Sequence, residues 1–281
     1  MPPFSASLRC LAAASKPTSR RLLAREALAK HTVTISDSGS SLPVIPTCPA
    51  PSCACAATPP GLDIDHKAPL NGTMAAYQKH ILVGSGQADW LSKVEDEVDS
   101  GGGGAASGWA ALVAELKRAV GRRGEFHDPI ILVCSHGGRD QRCGILGPLL
   151  MREFARQLHA IFPRRDGTVA DGDGDDTPLG GATSFDHQSI NVAGVSHIGG
   201  HKWAGNVILY IPPGYEIEIA VDSGDRPEAK VVSPLAGTGI WYGRVEPRHV
   251  EGIIEQTIFR GKVIHDLFRG GINRQGHPLR L

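Results

Sequence analysis

The stretch Pro129–Phe162, PIILVCSHGGRDQRCGILGPLLMREFARQLHAIF, decides the fold. Its opening, PIILVC (129–134), is a continuous apolar run, as expected of a strand covered on both faces. A polar, glycine-rich loop follows, SHGGRDQRCG. ILGPLLMREFARQLHAIF (145–162) then has the apolar spacing of an amphipathic helix, with Pro148 tolerated only in its first turn. Strand, loop and helix N-terminus are contiguous. Cys134 and Cys143 bracket the loop in the pattern C-x8-C, and a helix N-terminus favours thiolate over thiol in a nearby cysteine.

Toward the C-terminus, SINVAGV (189–195), NVILYIP (206–212), YEIEIAV (215–221) and GIWYGRV (239–245) each read as a strand. Pro247 suits the first turn of a helix that runs to about Arg260, with Val250, Ile253, Ile254 and Ile258 inward. Upstream, KHILVGSG (79–86) predicts a strand. A helix follows from near Trp90, capped by Asp89, with Leu91, Val94 and Val98 on one face, and GGGG (101–104) ends it. A second helix is expected from about Gly108 to Val120. The fold class is therefore α/β: a mixed sheet flanked by helices over 127–265, preceded by a smaller α/β segment over 62–126. Residues 163–186 are acidic and glycine-rich and read as a surface insertion; they lack the spacing and terminal Glu of a calcium loop. Residues 266–281 read as a C-terminal tail.

The leader is distinctive. Arg9, Lys16, Arg20, Arg21 and Arg25 precede the first carboxylate, Glu26, in a Ser- and Ala-bearing context. That composition predicts a mitochondrial transit peptide over residues 1–30. Residues 31–61 are rich in Ser, Pro and Thr and read as a flexible arm carrying Cys48, Cys53 and Cys55. A formal net charge of zero gives no electrostatic reason to expect nucleic acid or an anionic membrane as partner. No run reaches the roughly 18 apolar residues of a membrane-spanning helix. Six cysteines without a secretory signal argue against a disulfide scaffold.

Metal-binding chemistry is concentrated in two short motifs. His197 and His201 form H-x3-H in SHIGGHKWAGN, between two expected strands, as Cys134 and Cys143 follow another. Two thiolates and two imidazoles suit a structural zinc ion or a [2Fe–2S] cluster with mixed ligands. Gly137, Gly138 and Gly144 are expected to let the cysteine loop adopt positive φ, as Gly199 and Gly200 would for the histidine loop. His136, Arg139, Arg142, Lys202 and Trp203 lie beside the ligands, where the cations could meet cluster sulfides or an acidic partner, or simply be solvated. Trp241 and Tyr242 are expected to pack on the sheet. C-x4-C-x-C at Cys48, Cys53 and Cys55 could be a redox thiol set, a second metal site or three thiols in an arm. No catalytic residues stand out: there is no nucleophile–base pair, no dinucleotide-binding GxGxxG after a strand, and no carboxylate pair for glycoside chemistry.

C-x8-C after a buried strand, then HIGGHKWAGNVILY, then WYGRV with a helix after it, resembles the sucrase/ferredoxin-like family of thioredoxin-like ferredoxins. CPAPSCAC, LDIDHKAPLNGTMAAYQKHILV and the basic leader resemble a mitochondrial, fungal branch of that family. The resemblance implies a thioredoxin-like fold for the C-terminal half and a [2Fe–2S] cluster ligated by Cys134, Cys143, His197 and His201. The expected function is electron transfer or thiol redox control with a redox partner protein. A presequence favours the matrix, while the thiol set would also suit the intermembrane space. Imidazole in place of two thiolates raises a cluster's potential, as in Rieske centres. The alternatives are a zinc-stabilised interaction protein, or a thiol oxidoreductase using Cys48, Cys53 and Cys55.

Overall fold

The computed structural model describes residues 42–52, 54–77, 80, 82, 88–90, 92, 127–162, 190–219 and 229–281. The segment expected to be a transit peptide, Cys53, most of the expected strand at 79–86, most of the helix expected from near 90, all of the helix expected at 108–120, and the acidic insertion lie outside the described residues.

The apolar run of the deciding stretch forms β2 (Ile130–Cys134), buried along its whole length. Helix α1 (Gln141–Ile161) follows it directly. Asp140 caps α1 by accepting from the Arg142 backbone N–H, so the helix begins earlier than the apolar pattern suggests. Pro148 consequently sits inside the helix rather than in its first turn. There it removes the N–H that would have bonded the Gly144 carbonyl. Leu146, Leu150, Phe154 and Leu158 form the buried stripe of α1. Each such side chain contributes about 1.5–3 kcal/mol through burial.

The central sheet has six strands and is mixed. Its neighbours are β10 (Pro278–Leu279), β9 (Phe268–Ile272), β7 (Gly239–Tyr242), β4 (Val207–Tyr210), β2 and β3 (Asn191–Val195), in that order. β2 and β3 run parallel, which is why a helical crossover joins them; β4, β7, β9 and β10 continue the sheet with antiparallel pairings. β5 (Glu216–Ile219) and β6 (Ala229–Val232) form a separate hairpin. The expected terminal helix spans the right residues but changes character along its length. It opens as a 3-10 turn (Pro247–His249), becomes α2 (Val250–Ile253) and widens into a π-helical turn (Ile254–Phe259).

Strand alternation separates two cores. Ile131 and Val133 face the core shared with α1, Ile253, Ile254, Ile258 and Tyr242. Ile130 and Leu132 face the other way, toward Ile208 and Trp241, where Met74 and Tyr77 cover them. Trp241 and Tyr242 do pack on the sheet. The Tyr242 hydroxyl is 2.8 Å from Thr257 Oγ1 and accepts from the Ile264 N–H at 3.1 Å.

Two segments behave differently from their sequence pattern. Residues read as a flexible arm include β1 (Val44–Ile45), which pairs in parallel with β8 (Val263–Ile264). Beyond β1, Ser52 donates to Glu251 and Thr58 to Glu246, so side-chain bonds hold this arm along the end of α2. Residues read as a tail contain β9, an interior strand buried throughout. FRGGI, with two glycines, carries almost no strand signal; only its place between β7 and β10 makes it one.

Candidate metal centre

β2 and β3 are parallel and in register, with Cys134 opposite Val195. Both therefore end at the same edge of the sheet. Cys134 is the last residue of β2, and His197 lies two residues beyond the end of β3. The crossover helix begins just after the loop that follows Cys134, and its first turn carries Cys143. Ligand atoms of Cys134, Cys143 and His197 lie within 4.8 Å of one another. His201 opens a short 3-10 turn, His201–Trp203, and its ring stacks on that of His197 with centroids 5.4 Å apart. Three of the four expected ligands thus meet at one point, with the fourth against the third.

Glycine explains the close approach, for different reasons in the two loops. A Cβ on Gly144 would lie 2.5 Å from the Gly137 Cα, so the two ends of the cysteine loop touch backbone to backbone. Gly137, Gly138 and Gly144 do not have positive φ; contact, not handedness, selects glycine there. Gly199 and Gly200 both have φ of +81°. At Gly200 there is also no space, since a Cβ would sit 2.6 Å from the Arg269 guanidinium.

The electrostatics single out one sulfur. Both thiols are buried. The Cys134 thiol is drawn down to about 5, first by the hydrogen bond from Cys143 and then by His197 and the N–H groups of Ile198 and His136, against the opposing effect of burial. Cys143 is pushed upward as the donor of the pair. The donors that converge at the strand end therefore favour the charged form at Cys134. His136 holds the far loop in place, its Nδ1 accepting from the His197 backbone N–H at 3.1 Å. His197 Nδ1 is buried with no hydrogen-bond partner among the described residues. Two buried thiols with an imidazole ligand atom within 4.8 Å of both form a donor set of the kind that metals take up. The donor set fits zinc or an iron–sulfur cluster.

A strap from the N-terminal side covers this edge, which the residue pattern did not foretell. Leu62 and Ile64 pack on the small cluster of Cys134, Cys143, Leu146 and Ala204. Arg142 Nη1 donates to the Asp63 carbonyl at 2.7 Å, and the Asp65 N–H donates to the Lys202 carbonyl at 2.8 Å. Arg244, the one described non-glycine residue with positive φ, reaches the carbonyls of Asp65 and Ala68. Arg142 and Lys202 also pair with Asp140 and Asp65 at 2.9 and 3.8 Å. These two cations thus hold the strap and the loop, while Arg139 is exposed.

The two described arm thiols, Cys48 and Cys55, are not part of this constellation. Cys48 is half-buried, donates weakly to the His249 carbonyl at 3.5 Å, and is pushed up to about 11 by burial, which Arg248 only partly offsets. Cys55 is half-buried and unbridged.

A mixed sheet that gathers two buried thiols and an imidazole at the ends of its parallel strands defines an α/β protein with a site able to hold a metal ion. The sucrase/ferredoxin-like family model matches residues 114–270, more than half of the chain, and the chain belongs to that family. Among curated relatives, "Altered inheritance of mitochondria protein 32" of Meyerozyma guilliermondii is 32% identical over 149 residues, 53% of this chain and 36% of the relative. The proteins of the same name from Clavispora lusitaniae and Debaryomyces hansenii are 33% and 32% identical over 52% and 58% of this chain. The matched region spans 36% to 42% of the length of these relatives. No solved structure matches the chain. Among the described residues, no helix is long and apolar enough to cross a membrane.

Proposed function

We propose that this chain is a mitochondrial [2Fe–2S] protein that transfers electrons or takes part in thiol redox control. Cys134, Cys143, His197 and His201 would hold the cluster. The observation that carries the reading is the buried Cys134–Cys143 pair with a His197 ligand atom within 4.8 Å of both sulfurs. The strand order β7-β4-β2-β3, with one parallel and two antiparallel pairings and a helix after β7, supports a thioredoxin-like arrangement for the domain. The relatives' names and the basic leader support the mitochondrial assignment, with the matrix or the intermembrane space as the compartment.

When bound, a cluster of this type supplies one-electron chemistry. The residues of the chain confine it. Burial excludes water from the two sulfurs, the Ile198 and His136 N–H groups donate toward Cys134, and His136 fixes the histidine loop. The exposed Arg139 near this edge would meet an acidic redox partner.

The deciding measurement is the visible spectrum, with iron and acid-labile sulfide, of protein purified without oxygen. The His197→Cys and His201→Cys variants are measured beside it. About two irons and two sulfides per chain are expected, with a spectrum that shifts when either His becomes Cys. A colourless chain that takes up one zinc even after cluster reconstitution would overturn the reading and leave a zinc-stabilised interaction protein. Thiol exchange by Cys48, Cys53 and Cys55 is the other alternative; burial, by raising Cys48, works against Cys48 as its attacking group.

A further inference from the structure

Arg269 lies in β9, far in sequence from both ligand motifs, and is 2% exposed. Its guanidinium makes four hydrogen bonds, all to neutral acceptors. Nε reaches Thr73 Oγ1 at 3.1 Å and Nη2 the Thr73 carbonyl at 3.2 Å. Nη1 reaches the Gly199 carbonyl at 3.2 Å and Asn206 Oδ1 at 2.7 Å. It also lies 5.1 Å from the Trp203 ring and 5.8 Å from the Trp241 ring. Among the described residues no carboxylate pairs with it. A buried guanidinium without a carboxylate is costly, so something else must balance its charge. Burial draws its pKa down to about 10, and the opposing influence is the negative charge of Cys134.

The contacts of Arg269 converge on the histidine loop. Gly199 and Gly200 lie between His197 and His201, and Gly200 has no room for a side chain because the guanidinium fills that space. Asn206 extends the clamp: its Nδ2 donates to the Gly200 carbonyl at 2.9 Å, and its own carbonyl accepts from the Cys134 N–H at 3.0 Å. Arg269 and Asn206 together tie the histidine loop to the strand end that bears Cys134.

We propose that Arg269 is both the clamp of the histidine loop and the buried counter-charge of the Cys/His site, so that it favours the more negative, reduced state of the centre. The counter-charge role rests on the cluster reading above. The clamp role rests on the hydrogen bonds alone and holds for a metal-free chain. Arg269 is a positioning residue, acting through the loop and through its field.

The test uses the full chain with Arg269→Gln, Arg269→Lys and Asn206→Asp. Two quantities are read: the midpoint potential of the reconstituted cluster at fixed pH, and amide hydrogen exchange across 197–201 in the cluster-free protein. Arg269→Gln should lower the reduced-to-oxidised ratio at a given electrode potential about tenfold, which is about 59 mV for a one-electron couple. Arg269→Lys, which keeps the charge, should stay closer to the wild-type potential. Asn206→Asp sets a carboxylate against the guanidinium, should shift the potential in the same direction as Gln, and decides the charge role should Arg269→Gln fail to fold. Wild-type potentials in both the Gln and the Asp variants, with cluster content unchanged, would overturn that role. Exchange at 198–201 should quicken in the Gln and Lys variants while β2 amides stay protected; unchanged exchange would overturn the clamp. A wild-type chain that holds no cluster removes the counter-charge role together with the proposed function, and exchange alone then decides the clamp.

Discussion

Cys48 and Cys134 are both shielded from water, yet their thiols are displaced in opposite directions. Cys48 lies against the end of α2 with one weak carbonyl acceptor, and its thiol rises to about 11. Cys134 is more deeply buried, yet falls to about 5, because a thiol, an imidazole and two backbone N–H groups all donate toward it. Burial raises a thiol that meets no donors, and convergent donors reverse the sign. Depth of burial therefore does not mark the reactive or ligating cysteine; the donors around it do. In the sequence both are merely cysteines near glycine or proline.

The largest test of that contrast is removal of the sulfurs. Cys134→Ser and Cys143→Ser should each reduce bound iron to less than about a tenth of wild type, since even outer-shell changes at metal sites cost 10–100-fold. Cys48→Ser should leave iron content and the visible spectrum unchanged. Iron and sulfide analysis of the three variants, each with an unfolding curve to establish that it folds, checks this. Wild-type iron in Cys134→Ser would sink the contrast.

How far the sequence carried the site depends on what each residue needed. The deciding stretch exposed β2, α1 and both cysteines, since an uninterrupted apolar run and a 3.6-residue stripe survive in any context. The histidine pair was visible because its H-x3-H spacing encloses two glycines. That the two pairs meet follows from parallel register, Cys134 opposite Val195, which no local pattern encodes. Arg269 was out of reach for the same reason: FRGGI becomes a buried strand only through its partners β7 and β10, and its Arg gains meaning only from the loop it clamps. The strap at 62–74 has no periodicity of its own, and its backbone is held by side chains distant in sequence, Arg142, Arg244 and Arg269. The glycines of the cysteine loop were recognised as important for the wrong physical reason: they permit contact, not a left-handed backbone.

An intermediate effect comes from moving the donors without touching the sulfur. The Ile198 N–H faces Cys134 only while the histidine loop keeps its shape. Gly199→Ala introduces a positive-φ alanine into open space and should cost about 1–2 kcal/mol. Gly200→Ala carries the same backbone strain and in addition drives a methyl against Arg269, so it should be the more destabilising of the two and should weaken metal retention. Denaturant unfolding of both variants, with iron content alongside, checks the order. Equal losses would mean that Arg269 yields to the methyl, and that the donors on Cys134 are less firmly held than the contacts indicate.

The smallest effect is the pH dependence of stability in the cluster-free chain, where the two thiols should act on opposite arms. Cys134 titrates lower in the folded chain than an ordinary thiol at 9.0, so folding favours its thiolate. Its contribution is present above about pH 9 and is lost as pH falls through about 5. Cys48 titrates higher than 9.0, so folding favours its neutral form. That contribution is complete below about pH 9 and disappears as pH rises through about 11. Cys134→Ser should therefore flatten the acid side of a plot of unfolding midpoint against pH, and Cys48→Ala the alkaline side. Because Cys48 is partly open to solvent, its arm should be the shallower. Other groups titrate in both ranges, among them Tyr242, which burial also raises. Only the difference between variant and wild type carries the comparison. Should Cys48→Ala leave the alkaline arm unchanged while Cys134→Ser flattens the acid one, burial without donors would be the weaker influence, and the convergence of donors on Cys134 alone would separate the two kinds of thiol.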